Sequence, residues 1–211
     1  MSVNQIHDVP VSGMVSRLPP RVPDRPEALD RIGRLSRPLV ILFTLAFVAG
    51  LVLLLGAVAT VLFYEGPRVQ VRPGGLQIFI EPTPPAIVEG WSTLASMPPL
   101  RKLALACSAT MMLGPALAIL WTLRRLFSLY ARGVVLEAAN ARCLTLIAAW
   151  LIAYAVAPTL GHLLVTAAGF HDEGWLRMDS FQALGLGLVL FVIARVMRWG
   201  AEVADDAARF V

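Results

Sequence analysis

The stretch RRLFSLYARGVVLEAANARC, residues 124–143, holds four of the chain's eighteen basic residues, a single acid and a lone glycine. Taken alone it is a candidate anion-binding site. Taken with its flanks it is the polar elbow of a membrane hairpin. Leu103–Leu123 before it and Leu144–Phe170 after it contain no Asp, Glu, Lys or Arg. Each is long enough for a spanning helix, which needs about 20 residues.

The rest of the chain agrees. It is 57% hydrophobic and 15% charged over 211 residues, against roughly a quarter charged in ordinary soluble proteins. The net charge is +4, and every basic residue except Lys102 is Arg. These arginines cluster beside apolar segments, a pattern of membrane topology and not of a nucleic-acid surface; no nucleic-acid partner is expected.

Pro38–Phe63 gives a further uncharged run of 26 residues. Ser180–Ala194 is shorter, but Val196 and Trp199 continue it while Arg195 and Arg198 snorkel toward headgroups. The predicted fold is all-α transmembrane: a four-helix membrane bundle with spans at about 38–63, 103–123, 144–170 and 180–199. The first span is too long and too far along the chain for a cleavable signal peptide. Residues 1–25, rich in Pro and Ser, read as a disordered cytoplasmic tail ahead of a membrane domain at 26–211. The first helix is expected to begin near Pro26, where early acids and later arginines suit the helix dipole.

Counting Lys and Arg by segment sets the orientation. With both termini cytoplasmic, thirteen basic residues lie inside and five outside. The loop from Tyr64 to Lys102 then faces outward. Within it, VQVRPGGLQIFI alternates about Pro73-Gly74, predicting a β-hairpin with Val69, Val71, Ile78 and Ile80 on its buried face. Ile87, Trp91 and Leu94 come next at helical spacing, predicting a short interfacial helix with Trp91 at headgroup depth. This loop is either a lid over the bundle or a platform for a partner.

The elbow has a twin. RGVVLEAANAR at 132–142 aligns on its glycine with WGAEVADDAAR at 199–209. In both, an aliphatic residue comes three after the glycine and Arg nine after it, and each stretch succeeds an apolar span ending in arginines. The chain therefore reads as two parallel helical-hairpin repeats. Gly133 and Gly200 are expected at left-handed positions ending their helices, with Leu136 and Val203 tucked back on the bundle. EAANAR and ADDAAR are expected to start new helices.

A helix ending in basic residues, then Phe, Arg-Gly, an aliphatic residue and an Asn-containing helix start resembles the bacterial family called domain of unknown function 2975. LRRLFSLYARGVVLEAANARCL and LVLFVIARVMRWGAEVADDAARFV carry the resemblance, which covers roughly residues 35–211. The chain departs from the family pattern at Val135, Leu136 and Glu137, and in closing on AARFV. The resemblance implies a multi-spanning bacterial membrane protein, with no assigned activity and a link to small helix-turn-helix regulators; the chain itself is expected in the bacterial inner membrane.

Little else points to chemistry. There is no phosphate loop, His-Glu-x-x-His pair or Cys-x-x-Cys motif. Cys107 and Cys143 fall near opposite membrane faces, so a disulfide between them is not expected. His162 is the sharpest single residue, because ionisable groups within spans are uncommon and often functional. A haem or proton site competes there with an interfacial histidine bonded to backbone; His171 is the haem partner available outside the N-terminal tail. Pro115, Pro158 and the glycines of LGLGL at 184–188 mark either broken helices, as in a transporter, or close packing.

The reading is a non-enzymatic accessory or regulatory subunit acting through protein contacts, without a cofactor or metal. A small-molecule or ion transporter is the first alternative; a haem- or quinone-associated redox subunit is the second. Contact with anionic headgroups, a membrane-protein partner or a second copy is expected at Arg124, Arg125, Arg132, Arg142, Arg195, Arg198 and Trp91.

Overall fold

In the computed structural model, residues 25–66, 68–72, 75–78, 91–135, 137–170 and 178–209 are described. Four helices account for most of them: α1 Arg25–Phe63, α2 Pro99–Ala131, α3 Ala138–Ala167 and α4 Met178–Arg209. All four are long and apolar enough to cross a membrane. They pass uninterrupted through Pro38, Pro115 and Pro158, so the broken helices that a transporter reading would use are not found at these prolines. The 39 residues of α1 rise about 58 Å, roughly twice the 30 Å hydrocarbon thickness.

The helices pack in chain order, α1 on α2, α2 on α3 and α3 on α4. Neighbours alternate in direction, giving two hairpins of the same sense. The bundle is an open row, because α1 and α4 share no packed interface. In its most apolar stretch α1 buries only 6% of its residues, leaving its outer face to lipid.

Each interface closes on a glycine. A Cβ at Gly50 would lie 2.7 Å from Leu117 Cδ2, and one at Gly161 would lie 2.8 Å from Ser108 Oγ. A Cβ at Gly187 would meet the Ala148 carbonyl at 3.1 Å. Small residues let backbones approach where lipid supplies no hydrophobic drive.

Two apolar clusters sit at opposite ends of the row. Leu126, Cys143 and Ile147, with Leu144, Leu151 and Leu190 against them, mark the elbow end. Val61, Leu105, Ala106 and Val165 mark the other, where they pack with Val69, Val71, Leu94 and Met97 of the first long loop. That loop is thus a lid, folded as β1 Val69–Arg72, β2 Gly75–Ile78 and β3 Ser92–Thr93, in the order β2-β1-β3.

The predicted hairpin is present, with Arg72 opposite Gly75 and Val69 opposite Ile78. Its turn, Pro73-Gly74, and Ile80 lie outside the described residues. Val69 and Val71 are buried as expected, but Ile78 is 61% exposed. It ends the edge strand, whereas β1 is flanked on both sides by β2 and β3. The short helix expected through Trp91 is corrected at its described part. Ser92 and Thr93 pair with Val71 and Gln70, and only Leu94–Ser96 forms a 3-10 turn. Leu94, fully buried, owes its place to the lid core and not to a helical stripe; Ile87 lies outside the described residues.

The glycine twin is also corrected. Gly133 has φ +76° and ends α2. Gly200 lies inside α4, which continues to Arg209, and Val203 is 67% exposed instead of tucked back. The β-branched Val134 and Val135 come after Gly133, while Ala201, Glu202 and Ala204 come after Gly200 and favour helix. ADDAAR therefore extends α4. Leu136 lies outside the described residues.

Candidate functional site

The elbow is built from backbone outward. The Gly133 amide donates to the Tyr130 carbonyl at 3.0 Å and the Val134 amide to the Leu129 carbonyl at 3.1 Å. This pair is a Schellman cap, and it requires the left-handed glycine. Glu137, with extended backbone, precedes α3 and accepts from the Asn140 amide at 2.9 Å. Asn140 Nδ2 then reaches back to the Val134 carbonyl at 3.0 Å, tying the two helix ends together. Asn140 is fully buried, and its Oδ1 has no hydrogen-bond partner among the described residues.

The arginines fall into two groups. Arg124 is half-buried, donates Nε to Thr44 Oγ1 at 3.0 Å and lies 4.7 Å from the Trp121 ring centroid. Around it, Phe43 stacks on Phe127 at 5.4 Å and Phe47 meets Trp121 at 5.1 Å. Arg124 is a tie between α1 and α2. Arg125, Arg132, Arg142, Arg195 and Arg198 are exposed. They share the elbow end, since Leu190 of α4 packs against the cluster of Leu126, Cys143 and Ile147 there and Arg195 and Arg198 lie just beyond it. Arg132 donates Nε to the Ser128 carbonyl at 3.1 Å.

Trp91 stands apart from these arginines, half-buried just before β3 at the lid end. His162 is half-buried on α3, next to Gly161 and its contact with Ser108; His171 lies outside the described residues. Among the described residues, no three His, Cys, Asp or Glu side chains group as a metal site needs. Cys107 is exposed, Cys143 is buried, and both are free thiols.

Hydroxyls within the helices are spent locally. Ser36, Thr44, Thr60, Thr110, Thr122 and Thr145 each donate to the carbonyl four residues earlier on their own helix. Such back-bonding satisfies a polar side chain in an apolar medium without a partner helix.

Two features went unread in the sequence. The second Schellman cap is at Gly169, φ +86°, where the Phe170 amide donates to the Val165 carbonyl at 3.1 Å. The signal was Ala-Gly-Phe at the span's end. Arg101 completes it, donating Nε to the Ala168 carbonyl at 3.1 Å with its guanidinium 5.5 Å from the Phe170 centroid. A cation is favoured at a helix C-terminus. Arg37, the other missed residue, lines a groove with Arg132.

A family model, protein of unknown function (DUF2975), matches residues 86–209. No curated protein and no solved structure matches the chain.

Proposed function

From a chain that belongs to the DUF2975 family and forms a multi-pass membrane protein with four spanning helices, we propose an accessory or regulatory subunit that acts through contacts and catalyses no reaction. The carrying observation is the far end of α4. The helix runs nine residues past the end of its candidate span at Gly200. Val196, Trp199 and Val203 are 64%, 75% and 67% exposed and spaced three and four apart, so they form one apolar ridge. Arg195, Arg198 and Glu202 flank it, all exposed. An apolar ridge edged by charge along one side, running from the end of the candidate span to Val203 beyond it, suits a partner helix.

The thirteen-to-five distribution of Lys and Arg supports placing this ridge and the elbow on the cytoplasmic side of a bacterial inner membrane. Glycine contacts at all three helix interfaces support contact over transport as the mode of action.

The test compares capture by the full chain with capture by Trp199→Ala/Val203→Glu, in mild detergent, read by mass spectrometry. A protein recovered reproducibly with the parent chain and lost with the variant is expected. Equal recovery, or no reproducible partner, overturns the reading.

A further inference from the structure

We propose that the groove between α1 and α2 at the elbow end binds one anionic phospholipid, its phosphate between Arg37 and Arg132 and an acyl chain along Val40 and Ile41. The groove has a volume of about 530 Å³ and is lined by Arg37, Val40, Ile41, Ser128, Ala131 and Arg132. It exists because α1 and α2 touch above and below it. At one end Gly33 lies against α2, where a Cβ would be 3.6 Å from the Ala131 carbonyl. At the other, Thr44 accepts from Arg124.

Between those contacts the walls diverge in chemistry. Arg37 and Arg132, both exposed, line one groove from two helices, and among the described residues no carboxylate lines it. Like charges facing one cleft repel, and an anion between them turns that repulsion into attraction. Arg132 spends Nε on the Ser128 carbonyl, which leaves its two Nη groups as donors in the planar fork that matches phosphate oxygens. The Ser128 hydroxyl donates to the Arg125 carbonyl at 2.7 Å, so it offers no competing donor. Ala131 keeps the cleft open by being small.

The apolar wall chooses between a free phosphate and a lipid. Val40 and Ile41 lie just inside the uncharged run that begins at Pro38, and Ile41 is 62% exposed. The groove therefore passes from a charged lip to hydrocarbon depth, as a headgroup with its chain attached does. This inference is independent of the partner proposed above, which uses α4.

The full chain is placed in detergent with phosphatidylglycerol or phosphatidylcholine, and retained lipid is counted by native mass spectrometry. One phosphatidylglycerol per chain is expected, in preference to phosphatidylcholine. Arg37→Gln/Arg132→Gln is expected to weaken retention about tenfold. Ala131→Leu, which fills the cleft without changing charge, is expected to abolish it. Arg34→Gln/Arg68→Gln, exposed arginines outside the groove, should leave it intact. Equal retention of the two lipids, or equal loss in the control pair, overturns the site. Displacement of the lipid by millimolar inorganic phosphate overturns the acyl-chain half.

Discussion

Arg124 Nε donates to Thr44 Oγ1 at 3.0 Å while Thr44 itself donates to the Val40 carbonyl at 2.6 Å. The first helix is thereby tied to the elbow through one hydroxyl that both gives and accepts. The tie sits beside the aromatic pairs Phe43–Phe127 and Phe47–Trp121, where α1 otherwise has little buried surface.

Arg124→Gln is therefore expected to lower stability by about 1 kcal/mol, combining one interhelical hydrogen bond with a partly exposed cation–π contact. Thr44→Val should cost less, and the double variant less than the sum, since both remove the same bond. Thermal unfolding in detergent measures all three. Strict additivity would contradict the tie.

The two glycines that look alike in the sequence should answer mutation with opposite signs. Gly133→Ala places a side chain at φ +76° and is expected to destabilise by about 1–2 kcal/mol. Gly200→Ala lies within α4 with nothing within 4 Å of the new Cβ, and is expected to stabilise by up to about 1 kcal/mol. Melting temperatures of the two variants decide it. A loss of stability at Gly200 would return that residue to a helix end.

Gly185 and Gly187 offer a test two residues apart on α4. A Cβ at Gly187 would meet the Ala148 carbonyl and Ile152 at 3.1 Å, whereas one at Gly185 meets nothing within 4 Å. Gly187→Val is expected to cost about 1–3 kcal/mol by overpacking, and Gly185→Val to cost little. Equal effects, read as melting temperature and monodisperse yield, would contradict the packing of α4 on α3.

Asn140 is the elbow's buried polar residue. Asn140→Leu strips the Val134 carbonyl of its donor and is expected to cost about 1–3 kcal/mol. Hydrogen exchange at the Val134 and Asn140 amides should accelerate more than exchange in the middle of α3. Uniform acceleration would show that the side chain does not act locally.

The spans were legible because twenty uncharged residues have few other fates, and Gly133 was legible because arginines and β-branched residues bracket it. Gly200 misled because a shared glycine-to-arginine spacing is silent on the helix propensity of the residues between; Ala201 to Ala208 carry helix onward with no valine pair to stop it. Trp91 was drawn onto a helix by a spacing that Leu94 satisfies for a different reason, burial under the lid sheet. The groove between α1 and α2 was illegible, because Arg37 and Arg132 are 95 residues apart in the sequence and only packing brings them to one cleft.

The chain crosses the bilayer four times, with the elbow and the end of α4 on one side and the lid on the other. Single-cysteine labelling with a membrane-impermeant maleimide tests it, in intact cells whose outer membrane is made permeable, after Cys107→Ser/Cys143→Ala. Ser96→Cys and Met178→Cys are predicted to label from outside the inner membrane. Glu137→Cys and Glu202→Cys are predicted to label only after that membrane is opened. Labelling of Glu137→Cys or Glu202→Cys together with Ser96→Cys in unopened cells would contradict the four-span arrangement.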